Sequence, residues 1–136
     1  MQKNVILFSL LGMLAMSSMA SDPVSTESLQ GYWGGDRLQL IIEAGHARIE
    51  MDCASGTINS PLQLKKNGRF QTLGTFVQHQ TGGPQRADEA PAPGDARYAG
   101  EVNGEMMRLT IWPAGAQTPQ VFKLRKGVRI KLIRCL

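Results

Sequence analysis

From Gly31 onwards the chain consists of short segments in which apolar and polar residues alternate, separated by turns that carry glycine. Alternation with a period of two places successive side chains on opposite faces of a strand, and closely spaced turn residues are typical of an all-β sandwich or barrel. Helical periodicity is hard to find after Leu29. The pattern therefore predicts an all-β fold built from hairpins.

We expect about eight strands, from a first short segment at 31–34 followed by eight longer ones, with 54–56 as an interruption. The longer segments are 37–43, 46–52, 57–64, 69–78, 97–102, 105–112, 120–125 and 128–135. The clearest hairpin lies at Asn67-Gly68, since Asn-Gly readily takes the positive φ values of a tight turn. Strands linked in this way favour an up-and-down antiparallel barrel, because closure removes the exposed edges of an open sheet.

Alternation also predicts which side chains face the barrel interior. They are Leu38, Leu40, Ile42, Ile49, Met51, Phe70, Phe76, Tyr98, Val102, Met107, Leu109, Ile111, Phe122, Leu124, Ile130 and Leu132. An eight-stranded barrel is just wide enough to be filled by side chains or to hold one small ligand. Because this set is bulky, we expect a filled interior.

The first twenty residues have the pattern of a secretory signal peptide. Lys3 gives a positive start, Val5 to Met16 form an apolar run, and Ser18 and Ala20 are small residues at a cleavage site. The run is shorter than the roughly 20 residues that cross a bilayer, so no stable membrane anchor is expected after cleavage. We expect a signal peptide at 1–20, an extension at 21–30, and a periplasmic or extracellular barrel domain at 31–136.

The chain contains two cysteines, Cys53 and Cys135. An even number in a small secreted domain indicates a disulfide, and a C-x-x-C redox motif is absent. A bridge between them would close a loop of about 83 residues, which the chain-entropy model values at roughly 4–5 kcal/mol. It would also join an early strand end to the last predicted strand.

The segment 79–95 is rich in glycine and proline and is predicted to be a long loop. Loops of about 15 residues within a small domain are uncommon and often functional. A rigid barrel presents function on its loops, so this segment is the candidate binding loop. Its candidate contact residues are His79, Gly82, Gly83, Pro84 and Arg86.

Charge and motifs exclude several classes of function. The formal net charge is +4, and the basic residues near the C-terminus alternate with apolar ones, as on the wet face of a strand. Aromatic residues are not interleaved among them, so nucleic acid is not expected as a partner. The chain has no nucleophile elbow, Walker loop or H-E-x-x-H motif. We therefore predict no catalytic residues, no metal site and no cofactor.

The segment Leu29-Gln30-Gly31-Tyr32-Trp33 contains L-x-G-x-W directly at the first strand. Here the chain resembles the calycin superfamily of lipocalins, avidins and bacterial periplasmic metalloprotease inhibitors. The resemblance implies that Trp33 plugs one barrel end and that Arg134 or Arg129 packs over it. The chain departs from lipocalins, which carry a C-terminal helix, and from avidins, whose pocket holds several tryptophans.

Together these observations predict a secreted, non-catalytic binding or inhibitory module that uses the loop 79–95 to contact another protein. The first alternative is a carrier of a small apolar ligand inside the barrel. The second is a hydrolase or metal enzyme that would use His46, His79 or acidic residues, and it has the least support in the sequence.

Overall fold

The computed structural model describes residues 29–79, 93–133 and 135. This part of the chain forms eight strands and no α-helix. They are β1 (Gly31–Gly35), β2 (Leu38–Ile42), β3 (Ala47–Met51), β4 (Ala54–Ile58), β5 (Arg69–Gln78), β6 (Gly94–Asn103), β7 (Met106–Pro113) and β8 (Gln120–Lys126). Consecutive strands pair antiparallel, and β8 pairs with β1 to close the barrel. The predicted all-β, eight-stranded, up-and-down barrel is confirmed.

Up-and-down topology gives the barrel two rims. The upper rim carries the β1–β2, β3–β4, β5–β6 and β7–β8 connections, and the lower rim carries the other three. At the upper rim Asp36 and Arg37 form a two-residue turn with φ values of 49° and 63°, as a type I′ hairpin requires. The Asp36 carboxylate accepts a hydrogen bond from Lys123 N (2.7 Å), which fastens this turn to β8.

Large apolar side chains fill the barrel interior. The most deeply buried include Trp33, Leu38, Leu40, Ile49, Ile58, Tyr98, Met107, Leu109, Ile111 and Leu124, each less than 2% exposed. The predicted inward residues of β2 to β8 are buried, except that Met51 and Val102 are only partly covered. Burial of one such side chain contributes about 1.5–3 kcal/mol, so this core is the main source of stability.

Strand glycines make room for aromatic rings in this interior. The Phe70 ring occupies the position that a Cβ at Gly100 would take, and Tyr98 lies against Gly56 and Gly74. The Tyr98 hydroxyl donates a hydrogen bond to Thr75 O (2.6 Å), and burial raises the pKa of Tyr98 well above its usual value. The space that these glycines leave is therefore filled by protein, as the sequence led us to expect.

The prediction of a strand over 128–135 is wrong. Residues 128–133 form no strand, and β8 closes the barrel by pairing Lys126 with Trp33 and Arg125 with Gly34. The chain after β8, which we call the C-terminal tail (128–133 and 135), crosses the outer wall. A Cβ at Gly34 would lie only 2.5 Å from Val128 O and 3.0 Å from Ile130, so the tail passes directly over β1.

The tail still alternates as predicted, but its covered face lies on the outside of the barrel. Val128, Ile130 and Leu132 are half-buried, whereas Arg129 and Ile133 are exposed. Ile130 and Leu132 were expected inside the barrel, and this expectation is wrong. The interior is already closed by β8, so the tail packs its apolar side onto β1 to β3 instead.

The bounds of two strands, β4 and β6, also differ from the prediction. The residues 54–56, expected as an interruption, form the first part of β4, and β4 ends at Ile58 rather than at Leu64. Ala54 and Gly56 face the interior and are small, which hides the apolar alternation in the sequence. Strand β6 begins at Gly94, so the β5–β6 connection is slightly shorter than the predicted loop.

The predicted signal peptide lies outside the described residues, as do 21–28 of the predicted extension. Within the described ranges, no helix has the length and apolar character needed to cross a membrane.

Candidate functional site

The disulfide between Cys53 and Cys135 is confirmed. It joins the β3–β4 turn to the end of the C-terminal tail, with a Cα–Cα distance of 5.2 Å. The Cys135 amide also donates a hydrogen bond to Asp52 O (3.1 Å). The bridge therefore holds the tail against the outer wall. Cys135 was expected in a last strand, and the structure places it in the tail, outside any strand.

Asp52, beside this disulfide, binds both the tail and a neighbouring turn. Its carboxylate pairs with the Arg37 guanidinium through two bonds of 2.8 and 2.9 Å and accepts a third from Ile133 N (2.7 Å). The Arg37 hydrogen bond and the Ile133 amide lower the pKa of Asp52 below its ordinary value of 3.8. Two elements of the upper rim and the tail thus meet at one ionised carboxylate.

Trp33 is buried in the barrel, and its indole N–H donates a hydrogen bond to Leu29 O (2.9 Å). The cation closest to its ring is Lys126, at 5.9 Å from the ring centroid. Arg129 lies over a different ring, that of Tyr32, at 4.1 Å. Arg134 lies outside the described residues, so the plug role implied by the calycin resemblance stays a prediction.

His79 lies at the end of β5, where its amide donates to Cys53 O (2.7 Å). Its Nε2 atom is 3.3 Å from Ser55 Oγ, a separation at the long end of nucleophile–base contacts. In the described ranges no acid bonds to the His79 ring. The other histidine, His46, pairs with Glu43 at 2.6 Å on the lower rim. The two histidines therefore lie at opposite rims.

No group of three or more histidine, cysteine, aspartate or glutamate side chains is arranged to hold a metal ion among the described residues. Nucleophilic catalysis also needs a third group that orients the base, and among the described contacts the Ser55–His79 pair has no such acid. This contact alone therefore gives the hydrolase alternative no support.

Well-formed pockets in the described part of the chain lie on the outer wall or at a rim. One of about 400 Å³ lies between β3, β4 and the tail, with Glu50, Ser55, His79 and Leu132 in its lining. A smaller one of about 210 Å³ lies at the upper rim beside Phe76 and Gln120. Neither of these pockets lies inside the barrel, whose inward side chains are buried in the described structure.

The outer wall of β5 to β7 exposes a row of three side chains, two large apolar ones with an arginine between them. Leu73, Arg97 and Trp112 are direct cross-strand neighbours, and we call them the Leu73–Trp112 row. Leu73 is 74% exposed and Trp112 is 44% exposed. The row lines an open groove of about 490 Å³ together with Gly74, Asp95 and the turn after β7.

The geometry of this row is fixed by the sheet below it. The Trp112 indole N–H donates to Ala116 O (3.2 Å), which sets the orientation of its ring. Arg97 makes no side-chain hydrogen bond or ion pair within the described ranges. Tryptophan and arginine are among the residue types that are enriched where binding energy is concentrated at protein interfaces. Leu73 adds exposed apolar surface beside them.

Sequence reasoning did not single out these three residues, although alternation contains the signal. Phe70 and Phe76 face inwards on β5, so Leu73 must face outwards. Leu109 and Ile111 face inwards on β7, so Trp112 must also face outwards. Of the predicted loop residues, His79 is described, whereas Gly82, Gly83, Pro84 and Arg86 lie outside the described residues.

Comparison with known proteins returns no relative: no family model, no curated protein and no solved structure matches this chain. A proposed function therefore rests on the fold and the side-chain geometry.

Proposed function

We propose that the protein is a secreted, non-catalytic binding or inhibitory module that contacts a partner protein. The loop 79–95 and the Leu73–Trp112 row would together form its contact surface. The observation that carries the proposal is the row itself: two large apolar side chains flank an available arginine on a rigid sheet. Leu73 and Trp112 line the same groove, and exposed apolar surface rimmed by polar residues is typical of interaction sites.

The position of the row supports a shared surface with the loop. Leu73 is three residues below the last β5–β6 pair, Phe76 with Gly94, which is about 10 Å along the strands. The β5–β6 connection, which contains most of the predicted loop, begins after Gln78, two residues beyond this pair. A partner that contacts the upper rim can therefore reach the row without a change in the barrel.

The chemistry of the row specifies the kind of segment that would bind. An apolar side chain of the partner would lie between Leu73 and Trp112, and a carboxylate would pair with Arg97. The filled interior supports a surface contact over an enclosed small ligand. The disulfide supports the secreted location, because such bonds form and persist in oxidising compartments.

The experiment captures partners on the mature protein purified from the periplasm or medium, where its intact mass also reports removal of 1–20. It compares wild type, a Leu73→Ser/Trp112→Ser variant and a deletion of 81–92. The matched control is Met106→Ser, since Met106 is also 44% exposed but lies at the lower rim.

We expect the affinity for the specific partner to fall by about a hundredfold or more in the Leu73→Ser/Trp112→Ser variant. We expect it to be unchanged in the Met106→Ser variant. Loss of binding with the loop deletion would place the loop in the same surface. Partners that bind all four proteins equally would contradict the proposal. For an enzyme partner, inhibition by wild type but not by the double variant would identify the inhibitory role.

A further inference from the structure

A second groove, also of about 490 Å³, lies on the outer wall nearer the lower rim. Its floor is β6, whose outward side chain here is the small Ala99, and its sides are Gln71 on β5 and Thr110 on β7. The concavity follows from this arrangement, because a short side chain lies between longer ones on both neighbouring strands. We call it the basic groove.

Three cations and one anion line the basic groove: Lys65, Arg69, Arg108 and Glu101. Arg69 and Arg108 flank Glu101 in the cross-strand register. The Arg69–Glu101 contact is long, at 3.9 Å, and both side chains are more than half exposed. In the described part of the chain neither Lys65 nor Arg108 pairs with a carboxylate, so the groove holds a surplus of positive charge.

The rest of the lining can exchange hydrogen bonds with hydroxyl groups. Asn67, Gln71 and Thr110 supply amide and hydroxyl groups along the groove. The one aromatic residue in the lining, Phe70, is buried with 2% exposure and points into the barrel, so it offers no stacking surface. Single-stranded nucleic acid, which binds largely by base stacking, is therefore disfavoured.

The shape of the groove favours a chain-like ligand over a membrane surface. A membrane surface contacts protruding basic and apolar side chains, whereas a recessed floor at Ala99 admits a ligand that enters the wall. We propose that the basic groove binds an oligosaccharide that carries phosphate, sulfate or carboxylate groups, with Arg108 and Lys65 holding the anionic groups. This site is distinct from the Leu73–Trp112 row and does not depend on the protein-binding proposal.

Titration calorimetry on the mature protein tests the proposal with defined probes. The anionic probes are a heparin-derived oligosaccharide and an oligogalacturonate, and the neutral probe is maltohexaose. Inorganic phosphate tests whether an isolated anion suffices, and phosphatidylglycerol vesicles test a lipid source of the same charge. We expect at least one anionic oligosaccharide to bind, more weakly as salt increases, and the neutral one not to bind.

The matched variants are Arg108→Gln and Lys123→Gln. Lys123 is the next cation in the same cross-strand row but does not line the groove. We expect Arg108→Gln to weaken binding by about tenfold or more, and Lys123→Gln by less than about threefold. Thermal unfolding should be unchanged in both, because each side chain is on the exposed face of its strand.

Three results would overturn the proposal. The first is no binding of either anionic oligosaccharide. The second is an equal loss with Arg108→Gln and Lys123→Gln, which would indicate general charge attraction. The third is binding of inorganic phosphate or of vesicles as tight as that of the oligosaccharide, which would show that the sugar chain is not recognised.

Discussion

Gln39 is the only polar or charged residue described as buried, although its side chain points away from the barrel interior. Its amide nitrogen donates to Trp33 O and Val128 O, both at 3.1 Å, and its amide oxygen accepts from Ile130 N at 2.7 Å. One side chain thus satisfies three backbone groups from β1 and the tail. This network holds the tail on the wall far from the disulfide.

We predict that Gln39→Ala lowers the free energy of unfolding by about 1–3 kcal/mol, because buried backbone groups lose their partners. Urea denaturation with the disulfide intact measures it. Gln78→Ala is the matched control, since Gln78 is an exposed strand glutamine. Equal effects of the two substitutions would show that the Gln39 network does not contribute.

Alternation alone could have predicted that Leu73 and Trp112 face outwards, since their neighbours along the strand are core residues. It could not have predicted the burial of Gln39. A glutamine next to Leu38 and Leu40 reads as a solvated outward residue, and the segment that covers it is about 90 residues further along the chain. Local pattern carries no information on a contact of that range.

At the scale of elements, the C-terminal tail is the part that the sequence describes least well. Its alternation correctly indicates one covered and one exposed face. A covered face can lie on the inside or the outside of a sheet, and the period of two is the same for both. By contrast, the tight turn at Gly68, which has a φ of 76°, follows from local turn chemistry and was predictable, although no strand precedes it because β4 ends at Ile58.

Because Asp52 attaches the tail, the folding stability of the protein should depend on pH in a direction that can be stated. The folded pKa of Asp52 is below 3.8, so its contribution to stability is complete above that pH and is lost as the pH falls through the folded value. We predict that wild type is more stable than Asp52→Asn at neutral pH and that this difference shrinks as the pH falls below 3.8.

Chemical denaturation as a function of pH measures this difference. Asp95→Asn is the control, because Asp95 is an exposed carboxylate without a side-chain bond in the described chain. A stability difference between wild type and Asp52→Asn that stays constant from neutral pH to strongly acidic pH would exclude the ionised Asp52 attachment.

For the whole molecule, closure and filling of the barrel decide where ligands can bind. The closed sheet leaves no unpaired strand in the described barrel for addition of a partner strand, and the core leaves no room inside. The Leu73–Trp112 row and the basic groove lie on the same wall, β5 to β7, and they are adjacent: Gln71 and Ala99, which line the groove, are the next outward residues along β5 and β6 from Leu73 and Arg97. This wall is therefore the face that we propose for binding.

If the barrel is a solid scaffold, a small apolar probe cannot enter its interior, and methyl NMR can measure this. Decanoate is titrated into protein labelled at leucine and isoleucine methyl groups. We predict that interior methyls such as those of Leu109 and Ile111 keep their chemical shifts, and that perturbation is confined to outward residues such as Leu73. Saturable shifts of the interior methyls would contradict the claim and support a carrier.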